Sequence, residues 1–169
     1  MSTQPGPEFG QSADSPHLRV LSQYVKDLSF RNAMAAASAQ AYDQQPTIDM
    51  GVEVKSRPIG DQGEAVEVDL CINVAAKRGD DVMFAANLVY SGLFQFVNVR
   101  QEEIEPLIWI ECPRLLFPFS RQIMAEITRE GGYPPLMINP IDFTPLYWAE
   151  LRERQARDGL PPGAASAAF

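Results

Sequence analysis

The sequence predicts an α+β protein: a four-stranded antiparallel sheet with helices packed on one face. Three observations carry that expectation. Four stretches between Leu18 and Val99 alternate apolar and polar residues with period two. The connections after the second and third are short and made of turn residues. Beyond residue 100 the apolar spacing becomes helical, so strands come first and helices follow.

In the first stretch, Leu18 to Phe30, the alternation puts Leu18, Val20, Tyr24, Leu28 and Phe30 on one face and Arg19, Gln23, Asp27 and Ser29 on the other. Met34 to Gln45 is Ala-rich, contains Tyr42 and stops at Pro46, and it reads as a crossover connection. Thr47 to Ser56 sets Ile48, Met50, Val52 and Val54 against Asp49, Glu53 and Lys55. A turn over Arg57–Gly63 leads to the cleanest alternation in the chain, with Val66, Val68, Leu70, Ile72 and Val74 opposite Glu67, Asp69, Cys71 and Asn73. After the loop Lys77–Asp81, the fourth stretch, Val82 to Val99, presents Phe84, Ala86, Leu88 and Tyr90 on one face. Ala85, Asn87, Val89 and Ser91 lie on the other, and Gly92 marks a bulge or a close backbone approach.

Acidic residues opening Arg100–Ile110 suit the positive end of a short helix. Pro113 fits the first turn of the next helix, and Pro118 is expected to interrupt or kink it. Phe119, Ile123, Met124 and Ile127 continue at helical spacing until Gly131-Gly132. A proline-rich loop, Tyr133–Phe143, precedes a last helix with Thr144 as its cap and Pro145 in its first turn. The expected organisation is an N-terminal arm over 1–16, one domain over 17–155, and a flexible Pro/Gly/Ala-rich tail over 156–169.

The formal charge of −8 argues against a nucleic acid partner and against an anionic membrane surface. No stretch approaches a membrane span, so no direct membrane insertion is expected. Cys71 and Cys112 show no metal or redox spacing and read as buried free thiols. With no signal-peptide pattern at the N-terminus, these features predict a cytoplasmic protein.

The same residues offer no chemistry. His17 is the only histidine and has no partner for a triad or a metal site. The carboxylate pairs Glu102-Glu103 and Asp80-Asp81 fall in polar settings. No Gly-rich phosphate loop follows a strand. The expectation is a protein that is not an enzyme and has no metal and no cofactor. The aromatic and Met content of Glu103–Leu151 has two readings. It fills the core beneath the sheet, or it exceeds what one layer can bury and leaves surface for other chains.

Three stretches resemble the SecB family of bacterial protein-export chaperones: Tyr24–Phe30, Cys112–Arg121, and Gly132–Phe143 followed by Leu146-Tyr147. Order and spacing agree over about Leu18 to Leu151. The resemblance implies a homotetramer, a dimer of dimers with helices between two sheets. It implies that long apolar grooves hold unfolded precursor proteins, which are delivered to the SecA ATPase. Carried over by position, the groove would use Tyr42, Phe84, Ala86, Leu88, Tyr90, Phe143, Tyr147 and Leu151. Gln44 stands where the family often has Trp. The motor-binding face would use Asp27, Arg31, Ala85 and Asn87; Arg31 and Asn87 replace acids of other members, and Ala85 a larger apolar residue. The alternatives are a dedicated SecB-like chaperone for a single client such as an antitoxin, and a small thioesterase-type enzyme. The latter needs an acid or His aimed into an apolar pocket.

Overall fold

The computed structural model describes residues 15–35, 46–61 and 64–159. Strands β1 (His17–Asn32), β2 (Thr47–Ile59), β3 (Ala65–Arg78) and β4 (Asp81–Val97) form one antiparallel sheet. Their order is β1-β4-β3-β2, so β1 and β2, consecutive in sequence, occupy opposite edges. The helical half comprises α1 (Gln101–Pro106), a π-helical turn (Leu107–Glu111), α2 (Cys112–Glu130) and α3 (Thr144–Arg157). The last helix thus runs two residues past the expected start of the tail. Among the described residues no helix is long and apolar enough to cross a membrane.

The alternation seen in the sequence defines the two faces of β2, β3 and β4. Val68, Leu70 and Ile72 on β3, with Ala86, Leu88 and Phe94 on β4, have no exposed surface. Against them lie Cys112, Leu116 and Met124 of α2, equally buried. Gly92 allows this contact. A Cβ there would sit 2.5 Å from the Phe94 ring and 2.9 Å from Leu116 Cδ2, so the glycine marks a close approach between sheet and helix. Cys71 and Cys112 are both free and buried. Burial, first, and the neighbouring Glu111 push the Cys112 thiol up to about 12.

Strand β1 corrects one expectation. Its register with β4 shifts between Val20 and Ser22 and again between Val25 and Asp27. Each extra residue reverses the alternation, so between the shifts the faces swap. Tyr24, expected on the apolar face, pairs with Ser91 on the opposite one. Gln23, expected outside, lies under the helices, where Tyr90 Oη donates to its Oε1 at 3.4 Å.

In the helical half, Pro118 does not interrupt its helix and Thr144 is not a cap. Pro118 lies inside α2, which continues through it to Glu130. The lost backbone bond is offset by a buried flank of Leu116, Phe117, Ser120, Met124 and Ala125. Pro106 ends α1 and opens the π-helical turn, where the Cys112 N–H reaches back five residues to the Leu107 carbonyl. Thr144 is the first residue of α3, not its cap. Its N–H donates to Asp142 Oδ1 at 3.0 Å, so Asp142 supplies the side-chain oxygen at this helix start.

Candidate functional site

The groove residues expected on β4 form a row pointing at the helices, and the protein covers them with its own chain. Ala86 and Leu88 have no exposed surface. Phe84 stacks on Phe30 at 5.5 Å between ring centroids and meets Tyr133 at 4.7 Å. Tyr90 lies 6.0 Å from Phe119. Phe143 joins the same cluster through an edge contact with Phe117 at 6.3 Å. In the single chain these are core side chains. Tyr147 is buried and Leu151 half-buried on α3, outside that cluster. Tyr42 lies outside the described residues.

An accessible apolar slot of about 200 Å³ lies instead between β2, the π-helical turn and α3. Val52 and Val54 form one wall. Trp109, Leu146 and Ala149 form the others, and Glu53, Glu150 and Glu153 stand at the rim. The wider winding after Pro106 carries Trp109 to the side facing α3. There the Arg154 guanidinium sits 4.7 Å from the indole centre. Arg154 Nη1 also donates to Glu105 Oε1 at 2.9 Å and Nε to Glu150 Oε1 at 3.0 Å. Away from the slot-facing side of the last helix, Trp148 is 55% exposed, and the preceding loop leaves Met137 61% exposed. A separate apolar patch forms where β1 and α2 run past their cover, with Val25, Leu28, Leu115 and Phe119 all exposed.

The opposite face of the sheet is polar and organised around Glu67, which is only 4% exposed. It accepts from Tyr24 Oη, Lys26 Nζ and Arg57 Nε. Lys26 Nζ also donates to Asp69 Oδ2 at 2.8 Å, and Ser91 Oγ donates to Asp69 Oδ1 at 2.6 Å. Two neighbouring carboxylates of β3 therefore tie all four strands together. The Arg57 hydrogen bond, first, with those of Lys26 and Tyr24, holds Glu67 down to about 2 against the opposing effect of burial.

The expected motor-binding residues do converge on this face. Asp27 pairs with Val89, Ser29 with Asn87 and Arg31 with Ala85 across adjacent strands. Asn87 Nδ2 donates to Ser29 Oγ at 3.2 Å. The face as a whole is close to neutral: Lys26, Lys55, Arg57 and Lys77 are each ion-paired to a carboxylate of β2 or β3.

Sequence reasoning missed the walls of the slot. Trp109 and Leu146 looked like core, as did the exposed Trp148 outside the slot. One signal was present: Tyr147 and Trp148 are adjacent, and residues about 100° apart on a helix cannot both point fully inward. No sequence signal places Val52 and Val54 opposite α3, because that depends on where the chain returns.

The family model for the preprotein translocase subunit SecB matches residues 11–154. The protein-export protein SecB of Agrobacterium fabrum is 49% identical over 147 residues, covering 87% of this chain and 91% of that protein. That of Hyphomonas neptunium is 48% identical, covering 92% of each. Among solved structures, a SecB-like chaperone of Mycobacterium tuberculosis, in complex with a peptide from an antitoxin, superposes with a TM-score of 0.61. At 15% identity over 73% of this chain and 90% of that one, it supports the fold alone. With the sheet order, the helical layer and this extent of identity together, the chain belongs to the SecB family of protein-export proteins.

Proposed function

We propose that this protein is a cytoplasmic chaperone that keeps secretory precursor proteins unfolded and passes them to the SecA export motor. It acts by binding, without a catalytic step. The observation that carries the reading is the apolar surface the folded chain leaves open: the slot beside Trp109, and Trp148 and Met137 exposed elsewhere on the helical half. An unfolded precursor exposes apolar side chains. Burying them releases about 25 cal/mol per Å², less the ordering cost of both chains.

The second patch, Val25, Leu28, Leu115 and Phe119, suits a further copy of the chain, and the working form is a homotetramer, a dimer of dimers. Several slots in one assembly hold one long client by multivalency. The outer face, with Asp27, Arg31, Ala85 and Asn87, is the docking surface for the motor.

The test is a refolding assay with a slow-folding secretory precursor. The protein should retain the precursor unfolded at a stoichiometry of one client per assembly, and the motor ATPase should release it. Refolding at the unassisted rate would reject the proposal. Retention of one antitoxin and no secretory precursor would replace it with the single-client chaperone.

A further inference from the structure

Lys26 and Asp27 are neighbours in sequence, and a regular strand would turn them to opposite faces. The second register shift of β1 falls between them and their cover. Val25 pairs with Tyr90 and Asp27 with Val89, so Lys26 is the extra residue of a bulge. Lys26 reaches the carboxylates of Glu67 and Asp69, and Asp27 lies opposite Val89 on the same outer face. The bulge therefore sets a cation and an anion side by side, with Cα atoms about 3.8 Å apart.

These two do not pair. Lys26 Nζ crosses β4 and donates to Glu67 Oε2 and Asp69 Oδ2, both at 2.8 Å. Asp27 forms no ion pair among the described residues. The two carboxylates that take Lys26 are themselves held. Tyr24 and Arg57 donate to Glu67, and Ser91 Oγ donates to Asp69 Oδ1 at 2.6 Å. Glu67 is 4% exposed and Asp69 15%, so neither is presented to a partner. Arg31, the next charge along β1 on this face, is two alternations away, about 13 Å by strand rise. Asp27 is thus an exposed carboxylate left without a cation.

We propose that Glu67 and Asp69 are positioning residues for motor docking: by holding Lys26 across β4, they keep Asp27 free to accept a Lys or Arg of the motor. They act through Lys26 and do not touch the motor. A released Lys26 would turn to Asp27 and compete with the motor's cation. This inference rests on the reading of the outer face as the docking surface.

The test is calorimetric titration of the full chain with purified SecA at low ionic strength, where exposed charge pairs are least screened. Glu67→Gln combined with Asp69→Asn releases Lys26. That combination should weaken motor affinity about threefold or more, the scale of one exposed ion pair. Made in a Lys26→Met background, it should change affinity by less than about twofold, because no cation remains to be released. Lys26→Met alone should bind the motor at least as well as the wild type. Retention of an unfolded precursor should stay at the wild-type level throughout, which separates lost docking from lost fold. Equal weakening with and without Lys26, or no weakening with it, overturns the positioning role. Weaker motor binding by Lys26→Met alone also overturns it, and that measurement stands even where the carboxylate variants do not fold. Wild-type affinity in Asp27→Ala overturns the docking reading, and positioning with it.

Discussion

Arg154 is stacked over Trp109 with its guanidinium 4.7 Å from the ring centre, joining α3 to the π-helical turn. With the Glu105 contact, this one side chain ties α3 to the segment that carries Trp109. Each such contact, partly exposed, contributes on the order of 1 kcal/mol or less. Arg154→Ala should therefore loosen α3 without unfolding the sheet. Amide exchange over 146–157 is expected to speed up about fivefold or more by the same magnitude, with β3 and β4 unchanged. Unaltered protection of α3 would show that other contacts hold it.

Glu67 provides a pH test. Its folded-state pKa lies near 2, below the ordinary carboxylate value of 4.5. A depressed pKa adds stability above the unfolded-state value and loses it as pH falls from about 4.5 towards 2. The contribution is at most on the order of 3 kcal/mol, reduced by screening because Arg57 and Lys26 reach solvent. Urea midpoints of the wild type and Glu67→Gln should differ at pH 7 and converge near pH 2. A constant difference across that range would remove Glu67 from the role.

Leu88 and Leu146 should separate core from slot. Leu88 has no exposed surface, and Leu88→Ala should lower stability by about 2–5 kcal/mol. A charged residue at 88 would test folding rather than client contact. Leu146 is 38% exposed at the slot wall. Leu146→Asp should leave the urea midpoint nearly unchanged and weaken an unfolded client about tenfold by calorimetry, as for one lost apolar anchor.

Leu115 and Phe119 are exposed on α2. In the proposed tetramer they are covered by another copy. Leu115→Arg should shift the sedimentation profile to smaller species while circular dichroism stays the same. An unshifted profile would move the interface elsewhere.

Asp27 stands on the near-neutral outer face, away from the slot. Asp27→Ala should weaken association with the motor in a pull-down and leave client affinity intact. Equal association would assign docking to the neutral residues around Ala85 and Asn87.

Much of the architecture was legible because period-two alternation in β2, β3 and β4 survives folding. Val68, Leu70 and Ile72 had to share a face, and the structure buries them on it. Tyr24 was misplaced because a bulge depends on how two strands pair, and no residue in β1 announces it. Of the two outcomes expected at Pro118, interruption is excluded, because burial of the flanking residues offsets the local penalty.

The candidate site was less legible. The row on β4 was found, since alternation alone aligns Phe84, Ala86, Leu88 and Tyr90. Their cover was not, because a residue's exposure depends on what the helices place above it. The same holds for Glu67, which alternation puts on a polar face while Tyr24, Lys26 and Arg57 enclose it there.

Residue periodicity, then, was enough to determine the elements and the faces of β2, β3 and β4, because each follows from contacts a few residues apart. Tertiary structure alone decided which apolar residues stay open. Val52, Trp109 and Leu146 meet only after β2 takes the sheet edge and α3 returns beside it. That meeting joins positions far apart in the chain, and spacing along a sequence carries no record of it.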